Sequence, residues 1–125
     1  MKELFYIPLH WGFRKRFRQE VEMVVSKKER IVYRTIDGLA QRFRKGGKDI
    51  SIAVILAADL EDLFDLLYIR GLLEDIKLIL ILPDREKSTM AMGHILHPRF
   101  LTSIDNSFKD VAAVLRKMIG FMDST

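Results

Sequence analysis

The fold is decided by two short apolar stretches, ISIAVILAA at residues 50–58 and KLILIL at residues 77–82. Both consist mainly of aliphatic and β-branched side chains, and both are shorter than an average helix, so each predicts a β-strand. Polar residues do not alternate with the apolar ones, which indicates that both faces of each strand are covered. Such strands are typical of the centre of a parallel sheet with helices on either side.

Shorter or more mixed segments around these two strands predict further strands over residues 4–9, 30–35 and 100–104. Amphipathic stretches between the strands predict helices over residues 12–25, 37–46, 59–75 and 85–96, and a last helix after Ser107. This alternation of strands and helices predicts a flavodoxin-like, doubly wound parallel sheet. We expect the strand order 2-1-3-4-5, with helices on both faces.

Residues at the helix ends support these boundaries. Asp37, Asp59 and Ser107 are expected N-caps, because their short polar side chains accept hydrogen bonds from the first free N–H groups of a helix. The pair Gly46-Gly47 is expected to end the second helix. The first helix has one apolar face that we expect to pack on the sheet, made of Phe13, Phe17, Val21 and Val24.

Length and composition exclude several classes of protein. The 125 residues suit a single domain, 1–125, and 49% apolar with 30% charged residues is ordinary for a globular chain. The sequence contains no cysteine, which excludes disulfides, thiolate metal sites and a cysteine nucleophile. No segment approaches the roughly 20 apolar residues of a membrane-spanning helix, and the N-terminus lacks the pattern of a signal peptide. We therefore expect a cytoplasmic protein.

Several local segments occur in the order found in one known family. Thr35-Ile36-Asp37-Gly38 precedes Leu39-Ala40, Lys48-Asp49 precedes an apolar strand, and Arg99-Phe100-Leu101-Thr102 precedes a helix that runs from Ser107 through Met118. Together with the spacing of the elements, these segments resemble a response-regulator receiver domain over Lys2 to Ile119. The resemblance implies the same fold and a place in bacterial two-component signal transduction.

The residues that receivers use for phosphorylation do not match. Receivers place an acidic pair after the first strand, a phosphoacceptor Asp at the end of the third, a hydroxyl after the fourth and a Lys after the fifth. The corresponding positions here are Pro8 and Leu9, Ala57 and Ala58, Pro83, and Ser103. Phosphoryl transfer depends on metal and Lys charges that neutralise the phosphoryl oxygens. We therefore predict a pseudo-receiver that is not an enzyme, with no catalytic residue, metal or cofactor.

A domain of this kind acts through a partner. In receivers the face made by the fourth helix, the fifth strand and the fifth helix forms dimers and output contacts, and methionine adapts to varied partners. We therefore expect a protein partner or a homodimer on that face, and no membrane contact. The alternative is that its methionines fill the core. The candidate interface residues are Met90, Met92, Ile95, Phe100, Phe121 and Met122.

A second interpretation is a small-ligand or metal site, or an enzyme, at the carboxyl edge of the sheet, where open α/β sheets bind ligands. His10, Asp59, Asp84 and Asp105 each follow a predicted strand, so this interpretation expects them to cluster at that edge. The competing interpretation makes Asp59 and Asp105 helix caps and Asp84 a turn residue. His94 and His97 lack a carboxylate partner in the sequence and are expected to be structural or surface residues.

A third interpretation uses the basic first helix. The formal net charge is +4, and Arg14, Lys15 and Arg18 lie close together among aromatic side chains. These cations could contact phosphates of a nucleic acid by charge, with little reading of the bases. The alternatives are a solvated basic face, which is common, and an acidic protein partner.

Overall fold

The computed structural model describes residues 1–123, and it describes side chains up to residue 120. Strands and helices alternate along the chain, with short 3-10 turns at Glu22–Val24 and Arg70–Leu73. The elements are β1 (Lys2–Tyr6), α1 (Arg14–Glu20), β2 (Arg30–Tyr33), α2 (Ile36–Arg44), β3 (Ile50–Leu56), α3 (Leu60–Tyr68), β4 (Lys77–Leu82), α4 (Lys87–His94), β5 (Phe100–Ser103) and α5 (Phe108–Asp123).

The strands form one parallel five-stranded sheet of order β2-β1-β3-β4-β5, which confirms the predicted flavodoxin-like fold. At the centre, Ala53 pairs with Leu4 on one side and with Leu78 on the other. Every residue of β3 is buried. Apolar residues do not alternate with polar ones in β3 because helices cover both faces of the sheet, as the sequence predicted.

Two separate cores lie on the two faces of the sheet. On one face, Ala53 and Ile55 of β3 pack with α2 and α3, and Leu96 joins them after α4. On the other face, Ile52 and Val54 pack with α1 and α5, through Phe17 among others. This division places α1 and α5 side by side, so that the β1–α1 loop and the start of α5 meet at the carboxyl edge.

The first strand and the first helix differ from the prediction. β1 ends at Tyr6, and residues 7–10 form a loop where the sequence predicted a strand to residue 9. α1 begins at Arg14, so that Phe13 precedes the helix and is 74% exposed, whereas Phe17 is completely buried. The prediction that both phenylalanines pack on the sheet was confirmed for Phe17 and wrong for Phe13, because the helix starts after Phe13.

The caps were predicted in part. Asp59 caps α3, since its Oδ1 accepts from the backbone N–H of Asp62 at 2.8 Å. At α2 the cap is Thr35, whose Oγ1 accepts from the N–H of Gly38 at 3.1 Å; the predicted cap Asp37 lies inside the first turn. Gly46 follows α2 with a φ of +119°, the left-handed region that favours glycine.

Candidate functional site

The carboxyl edge of the sheet collects the loops that follow β1, β3, β4 and β5. Parallel strands end at the same edge, so residues from distant parts of the sequence become neighbours there. The six positions predicted to replace a receiver's phosphorylation residues all lie at this edge, and Ala57 is completely buried. These residues are Pro8, Leu9, Ala57, Ala58, Pro83 and Ser103.

The loop after β1 is held by Arg34, the residue that follows β2. Its Nε donates to the carbonyl oxygen of Ile7 at 2.6 Å, and its Nη2 donates to that of Pro8 at 3.5 Å. The N–H of Leu9 donates to the Arg34 carbonyl at 3.1 Å. Burial and the neighbouring Arg14 cation lower the pKa of Arg34 from its ordinary value. These bonds fix the backbone that carries His10.

His10 meets two carboxylates at the start of α3. Its Nε2 lies 2.9 and 3.0 Å from the two carboxylate oxygens of Asp62, and 3.8 Å from Oδ2 of Asp59. Asp62 is 7% exposed, while His10 and Asp59 are open to solvent. Within the described part of the chain, no other group brings three potential metal-ligating side chains this close.

Each carboxylate in this cluster has one oxygen fixed by the backbone. Oδ1 of Asp59 accepts from the N–H of Asp62, and Oδ2 of Asp62 accepts from the N–H of Ala58, both at 2.8 Å. This reciprocal arrangement is close to a capping box, in which the cap and the residue three positions later each bind a backbone N–H of the other's segment. It leaves Oδ2 of Asp59 and Oδ1 of Asp62 for other partners.

The cluster carries negative charge. The hydrogen bond with Asp62 is the main cause that raises the pKa of His10 above its ordinary value, and the charges of Asp62, Asp59 and Glu61 add to it. The pKa of the nearby Tyr6 is also raised, first by burial and then by the charges of Asp62, Asp65 and Asp59. The raised pKa of His10 indicates an edge that favours cations.

Two of the predicted edge carboxylates have other partners. Asp84 accepts from the N–H of Glu86 at 2.9 Å, as a turn residue does. Asp105 pairs with Arg85 at 3.3 Å and accepts from the hydroxyl of Ser103, and this hydrogen bond and the Arg85 charge lower the pKa of Asp105. The structure therefore brings together His10 and Asp59 and adds Asp62, which the sequence analysis did not single out.

A groove of about 980 Å³ opens beside this edge, between α1 and α5. Its apolar lining includes Trp11, Phe13 and Phe108, and Lys15 lies at its rim. Of the predicted anion contacts, Lys15 and Arg18 are exposed, whereas Arg14 donates to the buried carboxylate of Glu22 at 3.1 Å. Arg14 is thereby committed to a partner within the chain.

The predicted dimer face is mostly packed against the core. Met90 and Met92 are half-buried on one core, Phe100 is half-buried on the other, and Ile95 is 49% exposed. Phe121 and Met122 lie outside the residues whose side chains the structure describes. On this face, Ile95 is therefore the most accessible of the predicted residues that the structure describes.

A different helix exposes an apolar stripe. Leu60, Phe64 and Tyr68 follow one another at intervals of four on α3 and are 42%, 54% and 88% exposed. The carboxylates of Glu61 and Asp65 flank them and are also exposed. Apolar side chains of α3 therefore extend beyond its buried face, which carries Leu63 and Leu66, onto its exposed face.

Comparison of the chain with protein-family models, with curated proteins and with solved structures gave no significant match. Among residues 1–123, none of the helices combines the length and the apolar character that crossing a bilayer requires.

Proposed function

We propose that this chain is a receiver-like binding domain, acting in bacterial signal transduction through protein–protein contact and without aspartyl phosphorylation. The observation that carries the proposal is Ala57, the residue directly after the central strand β3, where the resemblance places the phosphoacceptor. Its methyl group has no oxygen that could attack a phosphoryl group. The strand order 2-1-3-4-5 supports the resemblance on which this assignment rests.

The neighbouring positions support the same conclusion. Pro8 and Leu9 have no side-chain oxygen for Mg²⁺, which binds carboxylates. The hydroxyl of Ser103 donates to Asp105, and Arg85 donates to both of them. A phosphoryl group at this edge would therefore meet neither an acidic pair after β1 nor a Lys ammonium after β5, which are the groups that neutralise its charge in receivers.

Acetyl phosphate tests this proposal directly. With Mg²⁺ present, the purified chain should keep its mass in intact mass spectrometry, while a phosphorylation-competent receiver treated in parallel gains one phosphoryl group. A gain of one phosphoryl group on this chain, lost again under mild alkali as an acyl phosphate is, would overturn the proposal.

The contact surface that best supports a binding function is the α3 stripe, Leu60, Phe64 and Tyr68. Exposed apolar side chains in a row at a helix surface mark interaction sites. The carboxylates of Glu61 and Asp65 beside them favour a partner that presents cations around an apolar hollow.

A second copy of this chain has such a surface. The groove between α1 and α5 is lined by Trp11, Phe13 and Phe108. Its two carboxylates already have partners, since Glu20 pairs with Arg16 and Asp105 with Arg85, whereas Lys15 makes no ion pair within the described residues. We infer that the α3 stripe of one copy inserts into the groove of the next. Because two different surfaces meet, this contact is heterologous, and a dimer keeps one free groove on one copy and one free stripe on the other.

Mixing two variants tests this contact. Phe64→Glu damages the stripe and Lys15→Glu damages the groove, so each variant alone should sediment as a monomer at concentrations where the wild type associates. An equimolar mixture should form dimers again, because each variant retains the surface that the other has lost.

The control is Met23→Glu, at a methionine that is 63% exposed in the turn after α1. It should associate like the wild type. A wild type that stays monomeric at every concentration would contradict the contact. So would a mixture that fails to associate, because the two substitutions would then not lie on complementary surfaces.

A further inference from the structure

His10, Asp59 and Asp62 form the strongest cluster of metal-ligating side chains at the carboxyl edge. We propose that these residues bind one divalent first-row transition-metal ion, with Zn²⁺ as the representative, through Nε2 of His10 and one oxygen of each carboxylate. This inference departs from the preferred sequence-based expectation of no metal and develops the second interpretation, a site at the carboxyl edge, with Asp62 in place of Asp84 and Asp105. It does not rest on the binding function proposed above, although Asp59 and Asp62 lie at the start of α3, the helix that also carries the stripe.

The spacing of the ligand atoms suits a single ion. The three atoms lie within 4.8 Å of one another, and Nε2 of His10 is 3.0 Å from Oδ1 of Asp62 and 3.8 Å from Oδ2 of Asp59. Metal bonds of about 2.1 Å place neighbouring ligands about 3.0–3.4 Å apart, depending on the geometry. The two distances from Nε2 are within a few tenths of an ångström of this spacing, and the exposed side chains of His10 and Asp59 can move to bring the carboxylate oxygens together.

The two carboxylates are oriented for ligation before any ion arrives. The backbone N–H of Asp62 holds Oδ1 of Asp59, and the N–H of Ala58 holds Oδ2 of Asp62, both at 2.8 Å. Hydrogen bonds to the second oxygen orient the first, as they do around established metal sites. An ordinary helix cap uses one such side chain, whereas here two cap-like carboxylates direct their remaining oxygens toward the same imidazole.

Hydrogen bonds also hold the loop that carries the imidazole of His10. Arg34 donates to the carbonyl of Ile7 at 2.6 Å and accepts at its own carbonyl from Leu9, so the loop that carries His10 is tied to the end of β2. Because the ligands come from the β1–α1 loop and the start of α3, their meeting depends on the assembled sheet and not on a local turn.

The donor set selects the class of ion. One imidazole nitrogen with two carboxylate oxygens suits Zn²⁺, Mn²⁺, Co²⁺ or Fe²⁺, whereas Mg²⁺ prefers oxygen ligands alone and keeps most of its water. The two carboxylate charges match the charge of a divalent cation. His10 and Asp59 are open to solvent, so water fills the remaining coordination positions, as in metal sites that keep an open position.

NMR of the histidine side chains tests the site with Zn²⁺ alone as the probe. A titration should saturate at one Zn²⁺ per chain and shift the ring nitrogen signals of His10, while His94 and His97 keep theirs. His10→Ala should lower the Zn²⁺ affinity by at least about 100-fold, since loss of a direct ligand costs more than loss of an outer hydrogen bond. His94→Ala, at an exposed histidine on α4, is the matched control and should bind like the wild type.

A second variant separates ligation from helix capping. Asp59→Asn keeps an oxygen for the N–H of Asp62 but removes the carboxylate charge, so α3 should remain intact by circular dichroism while Zn²⁺ binding weakens. Mg²⁺ should leave the His10 signals unchanged. Zn²⁺ shifts that affect all three histidines equally, or no shift of His10 at millimolar Zn²⁺, would overturn the proposal.

Discussion

Replacing Phe17 by Ala should lower the free energy of unfolding by about 3–5 kcal/mol. The Phe17 side chain is completely buried between α1 and the sheet. Its ring meets the rings of Phe5, Trp11 and Phe108 edge-on, with centroids 6.5, 6.0 and 5.3 Å away. Removal of the ring loses its transfer free energy and its edge-to-face contacts. It also leaves a cavity, because Phe5, Trp11 and Phe108 belong to three separate segments and cannot all move inward to fill it.

Phe13→Ala is the matched control for this prediction. The two phenylalanines are four residues apart, but Phe13 is 74% exposed and meets one ring, that of Trp11. Its replacement should change the free energy of unfolding by at most about 0.5 kcal/mol. Urea denaturation of both variants measures the difference. Similar losses for Phe13→Ala and Phe17→Ala would contradict the position at which α1 begins.

Replacing Arg14 by Ala should destabilise the protein by about 3 kcal/mol, because it leaves a buried carboxylate without its counter-ion. Glu22 is 1% exposed, and Arg14 approaches it with Nη2 at 3.1 Å and Nε at 3.4 Å. The expected loss is at the lower end of the range for buried pairs, since the charge of Arg34 also acts in this region.

Two further variants identify the cause of that loss. Arg18→Ala, at an exposed arginine of the same helix, should change the free energy of unfolding by at most about 0.5 kcal/mol. Glu22→Gln in the Arg14→Ala background should recover part of the stability, because a neutral amide is less costly to bury than an unpaired carboxylate. A double variant as unstable as the sum of the two single variants would show that the charge is not the cause.

The strands could be predicted from the sequence because their signal is local. Residues 50–58 and 77–82 are apolar without alternation, and only strands covered on both faces have that composition. Alternation of the elements indicated a doubly wound sheet, and the order 2-1-3-4-5 was favoured because it places the two purely aliphatic strands centrally, with more mixed strands beside them. Helix starts were harder, since Thr35 and Asp37 are both good caps and packing at the end of β2 selects between them.

The candidate site was predicted in part. His10 and Asp59 were expected together because each follows a strand that ends at the same edge. Asp62 follows the cap Asp59 by three residues, the spacing of a capping box, so its position near the helix start was readable. The sequence did not show that the carboxylate of Asp62 faces His10, because Asp62 and His10 are 52 positions apart.

The strands and the class of fold could be predicted from the amino-acid sequence, because apolar runs are properties of the chain alone. The tertiary structure alone decided which polar groups became partners: Arg14 with Glu22, His10 with Asp62, and Asp105 with Arg85. An exposed cation or carboxylate has many possible partners of similar strength, and the packing of the helices on the sheet decides which of them lies within reach.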